Sequence, residues 1–422
     1  VKPISEKLIK QVRLLDPITN TDNITDVLIV DGKITAIDVF LAPSSPQTKI
    51  IEAKGLILAP GLVDLYSYSG EPGNEARETY LSLTAAAIAG GFSRVAILPN
   101  TIPVIDNLAT LALLQEKLNQ ENTPIKFSFW GSLTQDLRGE KLAELTDLAQ
   151  GKVIGFTDNK PLHNLNLLRR LLEYSQPFNL PLGLVPTDLN LKGNGVMREG
   201  KASLKLGLPG NPVISETTAL AAILELVTIS KTPVHLMRIS TARGVELIKR
   251  AKEADLPITA SVTWTHLLLI AEAIASYNPN LNLEPPLGTE NDRLALIQGI
   301  REGIIDAIAV DHTPLTYEEK TVGFTETPPG VIGLELALFL LWENLVETKL
   351  LSALELWQAL SANPLKCINQ KPISCQVGEK AEVVLFAPHY PWKVTSANLK
   401  SLSYNTYWLG QEINGQIVEL IS

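Results

Sequence analysis

Histidine and cysteine are both scarce, at five and two among 422 residues. The two cysteines, Cys367 and Cys375, fit no common zinc or redox spacing, so free thiols of a reducing compartment are expected. Charged residues make up 19% of the chain against 45% hydrophobic, which excludes long disorder and supplies a sizeable core. The net charge of −9 and the lack of any Lys/Arg-rich run argue against a nucleic-acid surface. Long apolar runs are missing too. The longest, VIGLELALFLLW (331–342), contains Glu335 and falls short of the roughly 20 residues a spanning helix needs, so a buried helix and no membrane partner are expected. The first ten residues, VKPISEKLIK, hold no apolar stretch of the kind a secretory leader requires. The expectation is a soluble, cytoplasmic protein.

What is present is a regular alternation. Residues 8–57 divide into short strands with turns, and the Asp31-Gly32 pair in VDGKIT is suited to a tight hairpin. Residues 376–422 look similar, with a second such turn expected at Asn414-Gly415 in EINGQI. Between these ends lie eight strand-like runs, at 61–66, 93–100, 125–132, 153–158, 180–188, 233–240, 257–264 and 304–311. Amphipathic stretches separate most of them, among them 74–89, 105–119, 163–176, 216–229 and 241–254. Eight such units without a glycine-rich phosphate loop predict a closed (β/α)8 barrel in preference to an open doubly wound sheet. The predicted organisation is therefore α/β. Residues 58–364 form the barrel, and 1–57 and 365–422 together form a small β-sandwich domain.

In such barrels chemistry sits at the C-terminal ends of the strands. The residues there are Tyr66 and Tyr68, Asn100, Asp158, Val185, Arg238, His266 and Asp311, a polar ring with one apolar gap and no histidine pair in metal-ligand spacing. Two carboxylates facing one cavity are costly unless a cation joins them, so the Arg238 guanidinium is expected to bridge Asp158 and Asp311. The five histidines have structural readings. His163 and His389 are expected away from the mouth, His389 in a loop. His235 is placed on the opposite strand face from Arg238 by alternation. His266 is expected to cap or hydrogen-bond, and His312 to point away from Asp311.

The words along the chain resemble a known family. APGLVDLYSYSGEPGNEARET resembles the first-strand signature of dihydroorotases, Pro-Gly-Phe-x-Asp-x-His-x-His-x-Arg-x-Pro-Gly. AGGFSRVAILPNTIPVIDN (89–107) is similar to the second strand and its Pro-Asn-Thr turn. PPLGTENDRLALIQGIREGIIDAIAVDHTP (285–314) and PPGVIGLELAL (328–338) are similar to the last barrel segment, and the order is colinear over nearly the whole chain. The resemblance implies the amidohydrolase barrel and reversible cyclisation of carbamoyl-aspartate to dihydroorotate in pyrimidine synthesis. Zinc would polarise the amide and activate water, with a strand-8 aspartate moving the proton. The resemblance places the family's metal ligands on Tyr66, Tyr68, Asp158, Val185 and Arg238, and the catalytic aspartate on Asp311. All four histidines are thus replaced, and no histidine occurs between 164 and 234 to rescue the fifth-strand position. The family's substrate arginines fall on Gly70 and Gly288, a substrate asparagine on Glu284, and a second strand-8 histidine on Leu315. Asn100 and the Pro329-Gly330 loop persist as substrate-binding candidates.

No bound zinc and no other cofactor are therefore expected. The leading expectation is a dihydroorotase-like chain without catalysis, acting as a structural or regulatory partner. The family points to aspartate transcarbamoylase, the preceding enzyme of the pathway, and a homo-oligomer is a further candidate. One alternative is an active cyclic amide hydrolase with a metal-independent site, in which Asp311 is general base and Arg238 with the tyrosines is electrophile. The other is a small-molecule binding protein that uses Asn100 and Gly330.

Overall fold

The apolar runs of the middle segment become parallel strands, because each is bounded by a polar turn and followed by a helix that covers its outer side. The computed structural model describes residues 6–43, 45–121 and 123–422, so the first five residues of the predicted sheet domain lie outside it. Barrel strands one to three are Leu62–Ser67, Phe92–Ile97 and Lys126–Phe129. Strands five to eight are Leu182–Leu184, Val234–Leu236, Ile258–Thr263 and Ala307–Ala309. The run at 153–158 takes the fourth place through parallel bridges of Phe156 to Gly131 and to Leu182. Neighbouring strands pair in parallel throughout, with Val234 opposite both Leu182 and Ile258. The circle closes where the Tyr68 N–H donates to the His312 carbonyl at 2.9 Å and the Val310 N–H to Asp64 Oδ1 at 2.7 Å.

The predicted helices follow their strands, at Tyr80–Ala89, Leu108–Glu121, Leu165–Ser175, Ile214–Ser230 and Ala242–Glu253. Thr79 and Thr241 cap two of them through their hydroxyls, each such cap contributing about 1 kcal/mol. The run at 331–342 is buried as expected, but its helix starts only at Ala337. Glu335, just before it, accepts the Lys400 and Ser401 N–H groups at 2.8 and 2.9 Å. Inside the barrel Tyr66, Trp130, Met237 and Ala307 belong to one buried cluster.

Strands from both ends of the chain share a single seven-stranded sheet, in which Ile57–Pro60 pairs with Val383–Lys393 and with Glu6–Asp16. Its own core contains Ile9, Val27, Ile29, Ile34, Leu58 and Val383. The Asp31-Gly32 hairpin forms as predicted, with φ of 47° and 72° joining Val30 to Lys33. The second expected turn does not form. Asn414 and Gly415 lie inside strand Glu412–Ile421, and Gly415 at φ 132° sits where a Cβ would meet the Phe339 ring. A glycine needed for close approach carries the same dipeptide signature as a glycine needed for a turn. His389 likewise lies in a strand, not a loop, and pairs with Glu347 at 3.4 Å.

Glu382 fastens the sheet to the barrel. It receives Arg94 through Nε and Nη2 at 2.6 and 2.9 Å, Lys126 at 2.8 Å and the Ser93 hydroxyl at 2.9 Å. Burial alone would raise its pKa, but the hydrogen bonds and charges of Arg94 and Lys126 outweigh it and hold the carboxyl at about 2. A depressed folded pKa gives stability that is present above the unfolded value and lost as pH falls. Glu382→Gln is therefore expected to cost about 2 kcal/mol at neutral pH in urea titrations. That difference from wild type should shrink as pH falls from about 5 towards 2; a pH-independent difference would contradict the assignment.

Candidate functional site: the barrel mouth

Arg238 and Asp311 meet at the centre of the strand ends. Arg238 Nε lies 2.7 Å from Asp311 Oδ2 and Nη2 lies 2.6 Å from Oδ1, a two-bond fork on one carboxylate. The pair is nearly closed off, at 6% and 16% side-chain exposure. Both residues hold left-handed backbone, with φ of 58° and 54°, which turns their side chains into the mouth just past their strands. Burial disfavours the charge on Arg238, and the facing carboxylate more than restores it, so the guanidinium is held firmly protonated.

Tyr66 supports this pair from beneath. Its ring lies 5.6 Å from the guanidinium carbon, and its hydroxyl accepts the Arg238 N–H at 3.3 Å. The same hydroxyl is hydrogen-bonded to Ser261 Oγ at 2.9 Å. Ser261 Oγ is hydrogen-bonded to His235 Nε2 at 2.9 Å, and His235 Nδ1 to Thr259 Oγ1 at 2.8 Å. His235 is fully buried, and burial lowers its pKa to about 3. It is structural, as expected, but not for the expected reason. The left-handed turn at Arg238 resets the alternation, so His235 and Arg238 both face the interior.

The expected bridge from Arg238 to Asp158 is not there. Asp158 Oδ1 accepts the backbone N–H groups of Leu133 and Thr134 at 2.8 and 2.9 Å, and Oδ2 the Thr134 hydroxyl at 2.5 Å. Arg238 directs its Nε and Nη2 edge at Asp311, and Asp158 finds its donors on the neighbouring strand end. Tyr68 is held instead by Asn159 Nδ2 at 2.5 Å, and Val185 fills the fifth-strand position as a buried apolar contact.

Above the pair is a cavity of about 190 Å³, lined among others by Tyr68, Val185, Lys192, Thr263, His266 and Glu284. Glu284, expected to repel an anion, is neutralised by an ion pair with Lys192. His266 Nδ1 accepts from Thr263 Oγ1 at 2.6 Å while Nε2 faces the Pro286 carbonyl at 3.4 Å. Burial and the Arg198 charge lower its pKa to about 4, so it is neutral. His312 turns away from Asp311 as expected, to Glu78 at 3.2 Å, and accepts the Gly333 N–H at 3.2 Å. Of the two substrate-binding candidates, Gly330 lines the cavity, but its N–H is bonded to the Asn282 carbonyl at 3.0 Å and its carbonyl to Asn405 at 3.2 Å. Asn100 lies apart, in an adjoining cavity with Arg77 and Thr313. Asn159, Thr263 and Lys192 are site residues that the sequence analysis passed over. Lys192 and Glu284 meet from positions 92 apart in sequence, so no local pattern joins them.

The donor set does not fit zinc, which takes three or four N, S or O ligands. Around Arg238 stand one carboxylate already engaged by the guanidinium and two phenols. Burial, then the Asp311 charge, raise the Tyr66 pKa, so that phenol keeps its proton. Asp158 has both oxygens occupied. Among the described residues no group of three or more His, Cys, Asp or Glu side chains is placed to hold a metal.

The pair also makes a test of energetics. Asp311→Asn leaves a buried guanidinium without its counter-charge and is expected to cost about 3 kcal/mol. The Arg238→Met, Asp311→Leu double variant is expected to cost less than Asp311→Asn alone, by about 1 kcal/mol or more. Urea unfolding of wild type and the two variants reads this directly; a double variant less stable than Asp311→Asn would refute a coupled pair.

A family model described as dihydro-orotase-like matches residues 55–241. A probable dihydroorotase-like protein of Synechocystis is 46% identical, the match covering 97% of this chain and 98% of that one. A dihydroorotase of Syntrophus aciditrophicus is 35% identical over 97% and 96%. Among solved structures, the L-hydantoinase (dihydropyrimidinase) of Arthrobacter aurescens superposes with a TM-score of 0.84 at 20% identity, covering 98% of this chain and 93% of that one. The dihydropyrimidinase of Brevibacillus agri gives 0.83 at 18%, covering 99% and 94%. These establish the amidohydrolase barrel with its β-rich domain, and on the sequence matches the chain belongs to the dihydroorotase-like family of cyclic amidohydrolases.

Proposed function

We propose that this chain is a catalytically silent member of its family, kept for a structural or regulatory role beside an active enzyme. The observation that carries the reading is the Arg238–Asp311 fork. An aspartate that serves as proton carrier works best as a basic carboxylate free to approach substrate. Here both Asp311 oxygens accept from a guanidinium that cannot give up its proton. The same guanidinium places a fixed positive charge where a metal cation would stand, so charge as well as ligand loss opposes zinc.

The partner rests on the family alone: inactive dihydroorotase relatives scaffold aspartate transcarbamoylase in some bacteria. That enzyme is the partner to test first, by co-elution of the two purified proteins. A failure to co-elute removes this partner and leaves the inactivity reading standing.

The inactivity reading has its own experiment. After dialysis against zinc, elemental mass spectrometry is expected to find less than about 0.1 zinc per chain, against one or more in a site with a full ligand set. Neither direction of the dihydroorotase reaction should proceed above a no-protein blank. Stoichiometric zinc, or turnover lost in Asp311→Asn, would overturn the proposal.

The cavity of about 190 Å³ above the ion pair supports a second reading, that of a small-molecule binding protein. Thermal-shift measurements with pathway metabolites decide it, since a ligand that binds only the folded chain must raise its melting temperature.

A further inference from the structure

A second cavity lies where the sheet domain meets the barrel. It holds about 520 Å³ and shares no lining residue with the mouth. Strand Glu6–Asp16 lends it Gln11 and Arg13, strand Thr21–Val30 lends Ile24, and the turn before Ile57 lends Lys54. Trp342, at the end of the buried run 331–342, is also in its lining. The volume falls in the range of small-molecule sites, which favour such junctions. One buried carboxylate fixes two of the walls. Asp26 Oδ1 accepts the Gln11 N–H at 2.8 Å, and its Oδ2 accepts the Leu41 N–H at 2.9 Å, two residues past the lining Val39. Gln11 lies in a bulge, at φ 54°, where Lys10 and Gln11 together oppose Asp26. Left-handed backbone at a residue other than glycine persists only where its surroundings hold it, and bulges recur beside binding sites.

The chemistry of the lining selects its ligand. Ile24 and Val39 leave apolar surface uncovered, at 69% and 82% exposure. The Arg13 guanidinium lies over the Trp342 ring, 5.9 Å from its centre, while Nε and Nη2 are taken by Asp22 at 2.7 and 2.8 Å. With one face towards the indole and one edge on a carboxylate, the guanidinium keeps its other face for a second flat ring. Two acidic groups nearby are already answered, Asp22 by Arg13 and Glu347 by His389. The free charge is that of Lys54, which is exposed and has no carboxylate within 4.0 Å among the described residues. Lys10, 5.3 Å above the Phe40 ring, adds a second cation beside it. On a chain of net charge −9, two such cations beside one cavity favour an anion. We propose that this cavity binds a small aromatic anion, its ring against Arg13 and its carboxylate or phosphate on Lys54. The inference is independent of the catalytic reading, since no residue of the mouth takes part.

The test is a titration of the full chain, followed by ligand-observed NMR, with indole-3-acetate and adenosine 5′-monophosphate as probes. At least one is expected to bind with a Kd of about 1 mM or tighter, and the tighter of the two tells a carboxylate head from a phosphate head. Tryptophol and adenosine keep the rings and lose the charge, and are expected to bind at least about 10-fold more weakly. Lys54→Glu is expected to weaken the charged probes by at least the same factor, with an unchanged melting temperature because Lys54 is exposed. Ile24→Trp fills the cavity from its exposed side and is expected to abolish binding. A wild type that binds neither charged probe overturns the proposal. So does binding that the uncharged compounds match, or that either variant leaves unchanged, which would put the probe elsewhere on the chain, the barrel mouth included.

Discussion

The mouth of this barrel is organised by one buried ion pair. A carboxylate closed off at the end of the eighth strand needs a cation or several donors beside it, because removing a lone charge from water costs several kcal/mol. A metal ion would draw ligands from several strands around a point. A guanidinium works differently: it is planar, its donors lie along edges, and an edge matches one carboxylate. Once Arg238 is committed to Asp311, the rest of the mouth rearranges around that commitment. Asp158 turns to the N–H groups of Leu133 and Thr134, and Tyr66 offers the guanidinium its ring face and the Arg238 backbone its hydroxyl.

Below the pair lies a network of hydrogen bonds. The Tyr66 hydroxyl accepts the Arg238 N–H and is hydrogen-bonded to Ser261, and the network continues through His235 to Thr259. His235 takes part as a neutral ring, so the network holds the interior polar groups of strands one, six and seven without burying an unpaired charge.

Much of the fold was legible because it rests on local periodicity. Eight apolar runs with helical stretches between them marked the barrel, and Asp31-Gly32 marked a hairpin through its two positive φ values. Asn414-Gly415 misled because the glycine answers to the Phe339 ring in the folded sheet, not to a turn. At the mouth, the residues at the strand ends were legible, and so was the need for a cation among the carboxylates. What escaped was pairing. Whether one arginine serves one aspartate or two depends on which donors each carboxylate meets in three dimensions, and Asp158 meets the N–H groups of Leu133 and Thr134, which no spacing reveals. The left-handed turn at Arg238 brought His235 inward against the alternation of its strand. Lys192 and Glu284 come from loops after different strands, so their ion pair became visible only in three dimensions.

A site that has merely decayed would fill with apolar side chains and relax its backbone. This mouth does neither. Asn159, Arg238 and Asp311, at the ends of strands four, six and eight, all keep left-handed backbone, at about 1 kcal/mol or more each for residues other than glycine. Such strain persists only where the surroundings over-determine it. Here Asn159 is tied to Tyr68, and Arg238 is tied to Asp311 and to Tyr66. The strained turns and the bonds they aim are one construction. The arginine on which the proposed inactivity rests is therefore also the residue that ties strand six to strand eight, so the same fork that opposes proton transfer in that proposal also stiffens the mouth.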